Sequence, residues 1–311
     1  MNISIIIPNY NGENLLKINL PKIVSELKGY KDFKSEIIVV DDASIDSSVL
    51  YLEKFIKENP NCKFFVNSKN LGFSSTINKG VKESSGEIVI LLNSDVCPEH
   101  GFLNPLLKHF NDEKVFAVGC LDKSFEGEKV ILRGRGLGEW KKGFLVHKRG
   151  EVNKNNTLWV SGGSGAFRKS IWEELGGFNK LYNPFYWEDI DLSYRALKSG
   201  YKVLFEPKSV VVHEHEKGAI KSKYTPNQIK VISYRNQFLF SWENATDYYL
   251  KFEHFFFLPY HILKALRRMD IAFFKGFFSA LILIPKVIKT SFTYQKSFVL
   301  KDSEVIKNYL E

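Results

Sequence analysis

The sequence predicts an α/β domain built on a mostly parallel central sheet, followed by a helical C-terminal appendage. Three observations carry that prediction. Strand-like and helix-like periods alternate from Ile3 to Asp95, polar residues gather where each strand-like run stops, and the chain turns basic, aromatic and apolar after Glu216. Parallel neighbours need a crossover between them, and a right-handed helical crossover implies helices on both faces of the sheet.

The elements follow in order. Ile3 to Ile7 is a continuous apolar run, the mark of a strand buried on both faces. Leu15, Leu16, Leu20, Ile23, Val24 and Leu27 then keep helical spacing. A second buried strand, Ile37 to Val40, ends in Asp41-Asp42, and Val49, Leu52, Phe55 and Ile56 mark the next helix, with Pro60 beyond its end. Lys63–Val66, 73–83 and Ile88–Leu92 repeat the strand–helix–strand pattern, and the last strand ends in Asn93-Ser94-Asp95. Residues 115–160 are less regular, with Arg133 to Gly138 reading as a loop or hairpin beside which an acceptor can bind. From Trp159 we expect a Gly-rich turn, helices near 168–175 and 187–199, and strands near 202–205 and 209–213. Residues 227–243 and 252–290 read as helical. The expected division is a domain over 1–220, with halves of about 1–97 and 98–220, and a helical region over 221–311.

Bulk composition excludes several classes. A chain of 311 residues suits one large domain or a domain plus a small appendage. Three scattered cysteines, Cys62, Cys97 and Cys120, are too few for a disulfide framework or a zinc site. The N-terminus runs straight into a strand without a basic leader or cleavage site, so the sequence predicts a cytoplasmic protein.

In an open parallel sheet, ligands bind outside the carboxyl ends of the strands. Four polar loops converge there: Pro8-Asn9-Tyr10-Asn11-Gly12, Asp41-Asp42-Ala43-Ser44, Asn70-Leu71-Gly72-Phe73 and Asn93-Ser94-Asp95. Any one of them can be a turn or a helix cap. Together they predict a shared crevice. No G-x-G-x-x-G follows the first strand and no G-x-x-x-x-G-K-[ST] occurs, which argues against hydride transfer and against a P-loop. Gly162-Gly163-Ser164-Gly165-Ala166 misses the nucleophile elbow at its last residue.

These residues also carry a family resemblance. Ser4-Ile5-Ile6-Ile7-Pro8-Asn9-Tyr10-Asn11, Val39 to Ser44 and Asn70 to Phe73 resemble the opening motifs of family-2 glycosyltransferases. Leu91-Leu92-Asn93-Ser94-Asp95 resembles the family's D-x-D element with Asn in the first acidic place, and Phe185 to Leu192 resembles its E-D element. The likeness runs in order from about residue 2 to 245 and looks closest to rhamnosyltransferase-like members that build surface polysaccharides. It implies a GT-A fold and an inverting transfer of a sugar from a nucleoside-diphosphate donor to a saccharide or lipid-linked saccharide acceptor.

The resemblance assigns roles to residues. Pro8, Asn9, Tyr10, Asp41, Asp42, Asn70, Gly72, Phe73, Asn93 and Ser94 would bind the donor; successive strand side chains face opposite ways, so one of Asp41 and Asp42 reaches the nucleotide, and the resemblance favours Asp42 for the base. A Mg²⁺ or Mn²⁺ on the diphosphate would be held by Asp95 and by His213, with His215 left open. The family pattern makes Asp189 the general base, with Glu188 as the alternative, and like-charge crowding would raise the pKa of Asp189. Gly163, Trp187 and Asp191 would lie near the acceptor or the donor sugar. A non-catalytic nucleotide-sugar or nucleic-acid-binding protein fits less well, because it would have no need of Asp95, Asp189 and Asp191 together. A sugar nucleotidyltransferase would carry a charged Gly-rich loop after the first strand, which Pro8 to Gly12 is not.

The tail remains. Residues 251–300 carry eight Lys/Arg against Glu253 and Asp270, interleaved with Phe, Leu and Ile. The longest apolar stretch, 276–285, is too short to span a bilayer. This pattern predicts an interfacial helical hairpin on an anionic membrane rather than a nucleic-acid contact. The competing expectation is packing on the main domain or on a second copy in a homodimer.

Overall fold

The computed structural model describes residues 1–30, 33–127, 129–213 and 223–310. Its first half is built as the periodicities predict: β1 (Ile3–Asn9), α1 (Glu13–Lys28), β2 (Ser35–Asp41), α2 (Ser48–Glu58), β3 (Cys62–Val66), α3 (Phe73–Glu83) and β4 (Ile88–Leu92). β5 (Val96–Pro98), α4 (Leu103–Leu107), β6 (Val115–Glu126), β7 (Lys129–Arg133), β8 (Gly136–Lys141), β9 (Phe144–Arg149), β10 (Ser164–Arg168), α5 (Lys169–Glu174), α6 (Glu188–Lys198) and β11 (Lys202–His213) follow. The chain closes with α7 (Pro226–Asn244), α8 (Tyr248–Arg267), α9 (Ile271–Ile282), α10 (Ile284–Tyr294) and α11 (Asp302–Ile306).

The main sheet runs β3-β2-β1-β4-β10-β6-β11-β5, with β7 paired on β6. β3, β2, β1 and β4 are parallel. β10 then enters antiparallel between β4 and β6, while β6 and β11 pair in parallel. The sheet is therefore mixed on one side, and the two strands expected near 202–205 and 209–213 are one strand with a bulge between Glu206 and Val210. After Asp95, Val96–Pro98 pairs with β11 and α4 begins at Leu103.

Alternation explains the continuous apolar runs. Ile6, Ile38, Val40, Val89 and Leu91 point into one core with α3 and α6. Ile5, Ile7, Ile37, Val39, Ile88 and Ile90 point into the other with α1, α2 and α4. Each such side chain contributes about 1.5–3 kcal/mol by leaving water, which is why these strands have no polar face. The C-terminal helices share the first core: Phe238, Phe240, Phe273 and Val305 pack in one cluster with Trp187, Leu192 and Tyr194. α7 and α9 approach so closely that a Cβ on Gly276 would stand 2.7 Å from Tyr234 Cβ.

Candidate active site

A cavity of about 370 Å³ opens at the carboxyl edge of the sheet. It is lined from all four strand-end loops, by Pro8, Asn9, Tyr10, Asp42, Asn70, Gly72, Phe73, Asn93, Ser94 and Asp95. The opposite wall brings Gly163, Glu188, Asp189 and His213. Three expected residues are elsewhere. Asp41 is fully buried and ties its own turn, accepting from Ser44 N at 2.8 Å, Ser44 Oγ at 2.6 Å and Asn9 Nδ2 at 2.8 Å. Trp187 turns into the core against Phe240, with ring centroids 5.2 Å apart. Asp191 is sealed behind the site, with Oδ2 taking Arg195 Nε at 2.9 Å and Nη2 at 2.8 Å while Oδ1 accepts from Asn244 at 2.8 Å. Arg133 to Gly138 does not line the cavity either; Arg135 is buried and donates to Asn156.

The donor-side loops are preorganised. Asp42 holds the Asn70–Phe73 loop by accepting from Asn67 Nδ2 and Leu71 N at 2.8 Å and from Gly72 N at 2.9 Å. Gly72 has φ +85, and a Cβ there would meet Asn183 at 2.9 Å, so only glycine suits that loop. Oδ1 of Asp42 takes two bonds and Oδ2 one, which leaves lone-pair capacity facing the cavity. Asn9 spends its Nδ2 on Asp41, and its Oδ1 is bare. Among the described residues, Asn93 Oδ1 and Glu188 Oε2 are also buried without a partner. Buried polar atoms normally find partners, so bare atoms around one cavity mark it as built for a polar ligand.

Asp95 and His213 meet across the cavity, with Oδ1 and Nε2 3.3 Å apart. The other imidazole nitrogen, Nδ1, lies 2.9 Å from Asp122 Oδ2, and Ser124 Oγ donates to Asp122 at 2.8 Å. Burial opposes a charged imidazole here, but the hydrogen bonds and charges of Asp122 and Asp95 outweigh it and raise His213 to about 9. A carboxylate behind a histidine that faces another carboxylate is the arrangement that orients metal-binding imidazoles. The donor set suits a hard divalent cation with ligand oxygens completing its shell. His215, left open above, lies outside the described residues.

On the far wall, Tyr186 and Trp187 take φ of 70 and 78, left-handed values that are costly for bulky residues. Asn236 of α7 holds that turn, its Nδ2 lying 3.0 Å from the carbonyls of Tyr182 and Phe185 and 2.8 Å from that of Tyr186. α6 starts at once, placing Glu188 and Asp189 in its first turn. Burial, then the charges of Asp189 and Asp191, pushes Glu188 well above the usual carboxylate range. Asp189 is also raised; burial rather than like-charge crowding is the cause, partly offset by the Gly162 and Ile190 amides. Sequence reasoning missed Asp122, Asn236 and Lys223. Lys223 lines the cavity with its Nζ 4.4 Å from the Tyr10 ring centroid. None sits in a local motif, and each acts only through the fold.

Comparison with known proteins agrees with this architecture. The chain is 27% identical over 215 residues to the pre-mycofactocin glycosyltransferase of Mycobacterium tuberculosis (68% of this chain, 43% of that protein). It is 26% identical to the O-antigen chain rhamnosyltransferase RfbN of Salmonella typhimurium (73% and 69%). The crystal structure of GalNAc-T7 with UDP, GalNAc and Mn²⁺ superposes with a TM-score of 0.66 at 19% identity, covering 80% of this chain and 49% of that one. This likeness shows a GT-A-like fold. The chain spans about half the length of the first of these relatives. The model of the family described as "Glycosyl transferase family 2" matches residues 4–176, more than half of the chain, and this protein therefore belongs to that family.

Proposed function

We propose that this protein is an inverting, metal-dependent glycosyltransferase that moves a sugar from a nucleoside-diphosphate donor to an acceptor hydroxyl during polysaccharide or glycolipid synthesis. The observation that carries the reading is the bare, buried Asn9 Oδ1, Asn93 Oδ1 and Glu188 Oε2 around one cavity at the sheet edge. A nucleoside diphosphate offers the ribose hydroxyl and base N–H donors that these bare acceptor oxygens lack. The relatives are named glycosyltransferases, and GalNAc-T7 was solved with UDP and Mn²⁺.

The division of labour follows the walls. Asn9, Tyr10, Asp42, Asn70 and Phe73 take the nucleoside, Asn93 and Ser94 the ribose and diphosphate side. A cavity lined by Asp42, Asp95 and Asp189 repels a diphosphate unless cations accompany it. Asp95 and His213 would hold Mg²⁺ or Mn²⁺, with Asp122 fixing the imidazole, and the cation would neutralise charge on the leaving diphosphate. Lys223 adds a second positive group. Asp189 accepts the proton of the acceptor hydroxyl as its oxygen bonds to the anomeric carbon and the bond to the diphosphate breaks. A raised carboxylate is a better base for that proton than an ordinary one. Residues 1–220 form the catalytic unit in this reading and 221–311 its helical appendage. The enzyme works at the cytoplasmic face of the membrane on a lipid-linked acceptor, as a monomer or a homodimer.

The test is a melting-temperature panel with UDP, dTDP and GDP, each with and without Mn²⁺. Ligands that bind only the native state raise the melting temperature. At least one nucleotide should do so, and more with Mn²⁺; no response to any would refute the reading.

A further inference from the structure

Helix α8 is pinned on one side only. His254 Nδ1 lies 2.8 Å from the Gly143 carbonyl, and its Nε2 accepts from Trp242 Nε1 at 3.0 Å. His261 Nε2 lies 2.9 Å from the Lys142 carbonyl, and Glu253 accepts from Lys142 N at 2.8 Å. These contacts set the rotation of the helix on the β8–β9 turn. What they turn outward is aromatic: Tyr248, Phe252, Phe255 and Phe256 are 88, 69, 72 and 65% exposed, and Leu263 and Leu266 are each 57% exposed. Their spacing follows the helical repeat, so they form a stripe along one side.

Basic side chains accompany the stripe. Lys251, Lys264, Arg267 and Arg268 are exposed on the same helix or at its end. The nearby acids are held by the protein: Glu253 accepts from the Lys142 amide, Asp247 from Ser303, and Asp270 from Tyr234 at 2.8 Å while pairing with Lys230 at 2.8 Å. No single helix among the described residues is long and apolar enough to cross a membrane, and the pair from Ile271 to Ser297 bends by 66°. An amphipathic helix with aromatic and leucine side chains on its outer face and basic flanks suits the interfacial plane of a bilayer. A second copy fits less well, because a two-fold interface would bring the same cations together.

We infer that the aromatic, basic face of α8 docks on an anionic phospholipid surface. The hairpin beneath it leads to the catalytic wall. β9 carries His147, whose ring packs edge-on to Trp159 at 5.4 Å and to Trp187 at 5.2 Å, and Trp187 adjoins Glu188. A lipid-linked acceptor held at the same surface reaches the site along that hairpin. Only this last step rests on the transferase reading; docking itself does not.

The experiment is flotation of the full chain with vesicles of phosphatidylglycerol mixed with phosphatidylcholine, and with phosphatidylcholine alone. The chain should float with the anionic vesicles, more weakly in high salt, and not with the neutral ones. Two variants divide the contributions: Phe252→Ser/Phe255→Ser/Phe256→Ser, and Lys251→Glu/Lys264→Glu/Arg267→Glu/Arg268→Glu. All these side chains are exposed, so the melting temperature should hold, and partitioning should fall about tenfold or more in each. Nucleotide-induced stabilisation should be unchanged in both, which separates failure of docking from failure of the donor site. Absence of flotation, or equal flotation by wild type and both variants, overturns the inference. So does a dimer seen by light scattering that the triple serine variant dissolves, since the stripe would then be a protein interface.

Discussion

Asp189 and Asp191 lie two residues apart on α6, and the helix turns them toward different regions. Asp191 faces the buried flank, where Arg195, Asn244 and Tyr182 surround it. Arg195 in turn donates to the Leu175 and Gly177 carbonyls and lies 4.1 Å from the Tyr294 ring. Asp189 faces the cavity with two backbone amides and, among the described residues, no cation, beside a Glu188 oxygen with no partner among them. The difference teaches that burial alone does not mark a reactive acid. Supply of partners does: a neutralised carboxylate holds structure together, and an undersupplied one keeps lone pairs and a raised proton affinity for a ligand.

The largest expected effect breaks the cavity side. Asp189→Asn keeps shape but cannot accept a proton, so kcat should fall by roughly 10²–10⁴ with nucleotide affinity nearly unchanged. Steady-state kinetics with a separate nucleotide titration checks this, and a loss confined to nucleotide binding would move the base to Glu188. On the flank, Asp191→Ala strands a fully buried guanidinium. Urea unfolding should show a loss of about 3–5 kcal/mol, while Mn²⁺ response in the surviving folded protein persists. A stability change near zero would erase the distinction between the two acids.

Asp122→Asn removes the carboxylate behind His213 without touching the cavity. Mn²⁺ affinity, followed by paramagnetic resonance in the presence of nucleotide, should weaken about 10–100-fold. The smallest effect is on pH dependence. Glu243, buried and beside Asp191, is pushed up to about 7 from 4.5. The folded state therefore holds protons that the unfolded state releases, and this group's contribution to stability is full below pH 4.5 and lost as pH rises through about 7. Glu243→Gln should flatten stability measured across that window.

The four strand-end loops were legible because a parallel sheet carries every such loop to one edge, so local polarity reports tertiary position. β10 was not legible: Ser-Gly-Ala-Phe-Arg has little strand character, and Gly165 is dictated by Val160, whose Cγ1 would stand 2.2 Å from a Cβ there. Asp191 is expected beside the acceptor or the donor sugar, although Arg195 at i+4 is the available sign of an internal ion pair. Asp41 and Asp42 share one motif, and strand alternation separates them, Asp42 lining the cavity while Asp41 is buried. Asp122, Asn236 and Lys223 join the site from distant parts of the chain, where no local spacing points to them.

The central claim is that the cavity binds a nucleoside diphosphate together with a divalent cation held by Asp95 and His213. The most direct measurement compares nucleotide-induced stabilisation, with and without Mn²⁺, in the wild type and in Asp95→Ala. The account predicts that Mn²⁺ enhances nucleotide stabilisation of the wild type and that Asp95→Ala loses this enhancement while remaining folded. An Asp95→Ala protein whose nucleotide response is still enhanced by Mn²⁺ to the same degree would contradict it.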